Sequence, residues 1–156
     1  MKLAVNIFIF LLLNFAALAI GALYTGDGVA SDWYYMLNKA PWTPPGWVFG
    51  LAWTAIMVCY TFYMAVLYKK NESRKKIIIL YAVQLLLNVA WNPLFFYFQN
   101  PLIALIVILL LTIIVTYFLL RYQKPLRWTS LLILPYFIWL CIATSLNLDI
   151  VHFQFL

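Results

Sequence analysis

Long apolar runs alternate with short polar breaks along the whole chain. Five runs stand out, at residues 3–24, 46–68, 77–98, 102–120 and 128–148. Each is close to the ~20 residues that a helix needs to cross the hydrocarbon core of a bilayer. The pattern predicts an all-α membrane protein, a single domain over residues 1–156 made of five transmembrane helices. The one sizeable connector is the loop at 25–45.

The breaks have local causes. Gly26, Asp27 and Gly28 predict the end of the first helix. Pro44 and Pro45 suit the opening of the second, where a missing N–H costs little. Residues 69–76 read as a polar turn, Gln99-Asn100-Pro101 as a tight one, and residues 121–127 with Pro125 as the last. Pro93 and Pro135 fall inside the third and fifth runs and predict a kink or a freed carbonyl. The first run, with Lys2 ahead of it and Ala17-Leu18-Ala19 near its end, resembles a signal peptide but is longer than a usual signal core, so it reads as a retained span.

Charge adds an orientation. With five spans, the amino terminus and the second and fourth connectors share one side. That side holds Lys2, Lys69, Lys70, Arg74, Lys75, Lys76, Arg121, Lys124 and Arg127, nine of the ten basic residues; the other holds Lys39. The bias predicts an inside amino terminus, an outside carboxyl terminus and an outside first loop, in the cell membrane. The net charge of +6 is thereby a topology signal and not a nucleic-acid footprint. Composition agrees: 67% of residues are apolar and 9% charged, which excludes a soluble domain.

Ordinary catalytic chemistry is thinly represented. His152 is the one histidine, Cys59 and Cys141 lie in different runs, and no span carries a carboxylate pair or a metal-ligand spacing. Ser130 and Ser145 are expected to have no nearby histidine to make an intramembrane nucleophile pair. The spans instead carry amides and indoles. Gln84, Asn88, Trp91, Asn92 and Phe95 fall at i, i+4, i+7, i+8 and i+11, one helix face. Amides in hydrocarbon are costly unless paired, so this face is predicted to point into the bundle. Gly46, Phe49, Gly50, Trp53, Met57 and Tyr60 share a face of the second span. Pro135, Trp139, Ile142, Ala143 and Leu146 are assigned to one face of the fifth. Trp33, Trp42, Trp47 and Trp128 suit interfacial positions. Trp53, Trp91 and Trp139 lie deeper and predict either an aromatic core or a pocket for a flat, largely apolar ligand. Ala17-x-x-x-Gly21 is a small-residue pair that would let helices approach in a dimer.

Three longer patterns carry a family resemblance. Trp33-Tyr34-x-x-Leu37-x-Lys39 with Pro41-Trp42-x-Pro44-Pro45-x-Trp47-x-Phe49-x-x-x-Trp53 resembles the first loop and second helix of the translocator protein family, TspO/MBR. Asn88-x-x-Trp91-x-Pro93-x-Phe95-Phe96 is similar to its third-helix motif, and Pro135-Tyr136-x-x-Trp139-x-x-x-Ala143-Thr144-x-Leu146-Asn147 to its fifth. The resemblance covers essentially the whole chain and suggests a bacterial-type member. It implies a homodimer of five-helix bundles that binds porphyrins (protoporphyrin IX, haem) and isoquinoline or benzodiazepine drugs beneath the first loop. Position by position it implies a ligand site of Tyr34, Pro44, Phe49, Trp53, Asn88, Trp91, Trp139, Ala143 and Leu146. Trp53 and Trp139 would serve light-dependent oxidative breakdown of protoporphyrin. No tightly held cofactor is expected: a ligated haem wants an axial side chain, so the porphyrin is ligand or substrate. Transport of a small amphipathic solute, or sensing through the basic turns, are the alternatives. The animal members' cholesterol pattern at the end of the fifth helix is missing from residues 146–153.

Overall fold

The structure is a computed structural model that describes residues 2–70 and 73–155. Helix α1 spans Leu3–Val29, α2 Asp32–Met36, α3 Gly46–Lys70, α4 Arg74–Asn92, α5 Pro101–Leu126 and α6 Leu134–Phe155. A π-helical turn, Pro93–Tyr97, extends α4, and a 3-10 segment, Arg127–Ile133, leads into α6. Among the described residues, four stretches are long and apolar enough to cross a membrane, and the last, Pro101–Gln154, doubles back on itself. The reversal is at Arg127, whose φ is 51°. Asn147 Nδ2 donates to the Pro101 carbonyl at 2.9 Å, and the Thr112 and Thr144 hydroxyls stand 3.5 Å apart, so α5 and α6 run antiparallel. The result is a membrane helical bundle of five long rods.

Several boundaries differ from the sequence reading. Gly26-Asp27-Gly28 does not end α1, which continues to Val29. A Cβ at Gly28 would lie 2.3–2.4 Å from Phe96 side-chain atoms, so the glycine serves close packing and keeps helical geometry. Pro125 lies inside α5 near its carboxyl end. Pro135 is the second residue of α6 and helps open that helix rather than kinking it midway. Pro93, by contrast, begins the π-turn, where the regular ladder breaks. The fifth rod becomes α-helical at Leu134 and runs to Phe155, beyond the expected 148. The expected loop contains α2, whose first turn is capped by the Ser31 hydroxyl accepting from Tyr34 N–H at 3.2 Å. Of the turn at 69–76, residues 71 and 72 lie outside the described residues.

Polar side chains tie the rods together. Asn6, Asn14, Ala17 and Gly21 are buried along one stripe of α1. Asn14 Nδ2 donates to Thr61 Oγ1 of α3 at 3.0 Å, and Tyr81 OH of α4 donates to Asn14 Oδ1 at 2.7 Å. One amide therefore joins three helices, each bond contributing about 0.6 kcal/mol on average inside a membrane. Ala17 and Gly21 belong to this internal packing: a Cβ at Gly21 would sit 2.6 Å from Asn92 Nδ2. That stripe is spent within the chain and is not a free dimer face. Around the network lie Tyr60, Tyr63, Phe118 and Tyr136, all fully buried.

Candidate functional site

The amide face of α4 is where the sequence placed it. Gln84 and Asn88 are buried, as is Phe95 in the π-turn; Trp91 and Asn92 are half-buried. Gln84 Nε2 donates to Tyr136 OH of α6 at 2.6 Å. Trp91 Nε1 donates to Asn147 Oδ1 at 3.1 Å, and its ring stacks on Phe95 with centroids 4.9 Å apart. Asn92 Oδ1 accepts from Thr25 Oγ1 at 2.8 Å. Every one of these bonds but the stacking joins α4 to another helix, which is why the face points inward.

Across α3 and α6 the contact is aromatic. Phe49 meets Trp139 edge to face at 5.3 Å, and Trp53 meets Tyr136 likewise at 5.9 Å. Residues 49 and 53 ascend one helix while 139 and 136 descend the other, so Trp53 and Trp139 stand diagonally across one antiparallel seam. Trp139 is buried and Trp53 half-buried. Trp139, Ala143 and Asn147 lie one turn apart along α6. Trp91, at the Asn147 level, is thus displaced about 12 Å along the helix from Trp139, from eight residues at ~1.5 Å each. Half-buried Ala143 lies between them, with buried Leu146 nearby. Of the face assigned from spacing, Trp139 and Leu146 are buried and Ala143 half-buried, whereas Pro135 and Ile142 are exposed, Pro135 on the open side beside Trp139; Tyr136, Leu140 and Asn147 take further inward positions. On α3, Met57 and Tyr60 are buried, while Gly46 and Gly50 are exposed and a Cβ on either would meet nothing within 4 Å.

The loop is anchored at two places. Half-buried Tyr34 leans on Phe96 at 5.7 Å, with Lys39 Nζ 4.5 Å above its ring. Burial raises the Tyr34 phenol above its ordinary pKa of 10.0, so it remains a neutral hydrogen-bonding group at physiological pH. Trp42 Nε1 donates to Ser145 Oγ at 3.3 Å. Pro44, half-buried, lies between these anchors and the start of α3. Trp47 and Trp128 are strongly exposed, whereas Trp33 packs on Phe95. The cysteines are free; Cys141 faces outward and Cys59 is half-buried.

Two clefts open beside these groups. One, of about 470 Å³, is lined by Ala52, Ala55 and Ile56 of α3 and by Leu131, Leu134, Pro135, Ile138 and Trp139. All its lining residues are apolar apart from the indole nitrogen. The other, of about 360 Å³, is lined by Trp42, Ser145, Leu148, Asp149, Val151 and His152. Ser145 thus shares a cleft with His152, two turns along the same helix, against the expectation that no histidine is near it. Its hydroxyl, however, donates to the Ile142 carbonyl at 2.7 Å and accepts from Trp42, so it is not poised as a nucleophile. Among the described residues, no group of three or more His, Cys, Asp or Glu side chains could hold a metal ion. The Trp139 indole N–H is sealed from solvent with no protein acceptor. The face assignments from spacing leave out Asn14, Tyr136 and Asn147, although each is a polar group in an apolar run and the last two stand in the fifth-helix motif; Asp149 falls just beyond the fifth run.

The chain matches the model of the TspO/MBR family over residues 9–152. It is 35% identical to the tryptophan-rich protein TspO of Chlorobaculum tepidum over 78% of this chain and 80% of the relative. It is 34% identical to the tryptophan-rich sensory protein of Cereibacter sphaeroides, over 83% and 78% of the two chains. Identity to the translocator protein of Bos taurus is 32%, over 82% and 78%. With an indole-rich α3–α6 seam, an amide face on α4 and a match spanning nearly its whole length, the chain belongs to the TspO/MBR family.

Proposed function

We propose that this protein binds a tetrapyrrole, protoporphyrin IX or a close relative, against the α3–α6 seam, and that Trp53 and Trp139 support its light- and oxygen-dependent breakdown. The observation that carries the reading is Trp139. Its ring forms part of the wall of an apolar cleft of about 470 Å³, within the range of small-molecule sites. A flat apolar ligand complements that wall, and isoquinoline or benzodiazepine compounds satisfy the same description. The cleft wall has no His, Cys, Met or Tyr to serve as an axial ligand, so the residues present suit a metal-free ring better than a haem iron. The light-absorbing group and the oxidant, dioxygen, both come from outside the chain. The protein's part is to hold the ring, exclude water and present electron-rich indoles.

In the same reading the protein sits in the cell membrane with its amino terminus inside, its carboxyl terminus outside and the 25–45 loop outside. It functions as a homodimer through a face other than the occupied Ala17–Gly21 stripe. The test is a titration of protoporphyrin IX into the purified protein, followed by illumination in air while its absorbance is recorded. Trp53→Phe with Trp139→Phe should slow the loss of porphyrin by roughly tenfold or more while leaving binding measurable. Equal rates in wild type and double variant refute the role of the indoles.

A further inference from the structure

The smaller cleft is independent of the tetrapyrrole reading. It lies toward the carboxyl end of α6, where Ser145, Asp149 and His152 fall at i, i+4 and i+7 on one helix face. Asp149 is the single carboxylate of that helix. One of its oxygens, Oδ2, is sealed from solvent, and no protein group donates to it. That atom is closed off from the cleft as well as from water, but Asp149 lines the cleft, so a cation there would sit beside the carboxylate and offset the cost of its partial burial. The basic residue of the outer loop does not supply one, because Lys39 stands over the Tyr34 ring.

The rest of the cleft narrows the kind of cation. Trp42 is 56% exposed and held by its edge, through the Nε1 bond to Ser145. That bond leaves the faces of the indole free, and indole faces attract ammonium groups. Leu148 and Val151 supply apolar wall. The His152 imidazole, when neutral, accepts one hydrogen bond. A bare metal ion would find only two good ligands here, Asp149 and His152.

We propose that this cleft binds a primary ammonium group carried on an apolar stem, the ammonium between the Asp149 carboxylate and the Trp42 ring and the stem along Leu148 and Val151. Two sources share that chemistry: a free aliphatic amine and the ethanolamine headgroup of a membrane lipid.

The experiment uses the full chain in phosphatidylcholine nanodiscs, titrated with n-octylamine and, separately, with 1-octanol, by calorimetry against empty discs. Octylamine should bind with a saturable signal beyond partitioning, and octanol should not. Asp149→Asn, which removes the charge and keeps the shape, should weaken octylamine by at least ~10-fold. Trp42→Leu should weaken it too, and remains informative if Asp149→Asn folds poorly. Replacing part of the phosphatidylcholine by phosphatidylethanolamine separates the sources. Weaker apparent octylamine binding in those discs supports the lipid headgroup, and unchanged binding supports a free amine. No saturable octylamine binding, octanol binding as tightly as octylamine, or full octylamine affinity in a folded Asp149→Asn protein overturns the proposal.

Discussion

Gly26 and Gly28 are two residues apart on the same turn of α1, yet alanine should act on them with opposite sign. At Gly26 an added Cβ meets nothing within 4 Å. Alanine there gains helix propensity, about 1 kcal/mol relative to glycine. At Gly28 the same gain meets a clash: the new Cβ would lie 2.4 Å from Phe96 Cβ and Cγ and 2.3 Å from Cδ1. Rotating the phenyl ring relieves only part of that, because Phe96 Cβ moves with the backbone of the π-turn. Overpacking costs ~1–3 kcal/mol, and a contact with backbone-linked atoms belongs at the upper end. Subtracting the propensity gain leaves Gly28→Ala destabilised by about 2 kcal/mol, from those two terms. The two variants then differ by about 3 kcal/mol, or roughly 6–12 °C in melting midpoint for a chain of this size. A thiol-reactive dye reporting on half-buried Cys59 during thermal unfolding in detergent provides the measurement. A Gly28→Ala protein that melts with or above Gly26→Ala refutes the account of α1 packing on the π-turn.

Three further outcomes test other joints. Trp91→Phe keeps the stacking on Phe95 but leaves Asn147 Oδ1 buried without its donor, and should lower unfolding stability by ~1–3 kcal/mol in the same thermal assay. Ser145→Ala removes the acceptor for Trp42 at an exposed contact; backbone amides of residues 38–43 should exchange faster with deuterium while the melting midpoint shifts by less than about 2 °C, since surface changes cost within ~0.5 kcal/mol. Ala17→Leu forces a large side chain into the internal packing of α1, so it should lower the melting midpoint of the monomer; an unaltered midpoint with a weakened crosslinked dimer would restore this stripe as a dimer face.

The parts of this structure that were legible in the sequence are mostly polar. An amide in hydrocarbon must find a partner, and so it declares its direction. Gln84, Asn88, Trp91 and Asn92 were read as one inward face, and the bonds to Tyr136, Asn147 and Thr25 show why. The same logic applied to Asn6 and Asn14 would have marked the buried stripe of α1. Helix ends were harder to read, because local punctuation yields to tertiary contact. Gly26-Asp27-Gly28 reads as a break, but Gly28 is pressed against Phe96 and Thr25 is bonded to Asn92, and those contacts carry the helix one turn further.

Apolar positions were the least legible, for a reason specific to membranes. In water, burial separates inward from outward residues because only one side is aqueous. In a bilayer, lipid tails and the protein core are equally apolar, so Leu, Ile or Pro gains almost nothing by choosing between them. Pro135 and Ile142 share spacing with Trp139 and read as inward, yet both are exposed, Pro135 on the open wall of the cleft beside Trp139. Ala52, Ala55 and Ile138, which help shape the 470 Å³ cleft beside Trp139, carried no signal at all. Legibility therefore divides by physics: the hydrogen-bonding face of α4 could be located from sequence, whereas the shape of the apolar cleft required the packing of α3 against α6. Substitutions that keep polarity but alter wall volume, such as Ala55→Leu, should accordingly change which flat ligands fit without disturbing the hydrogen-bonded frame that positions Trp91 and Tyr136.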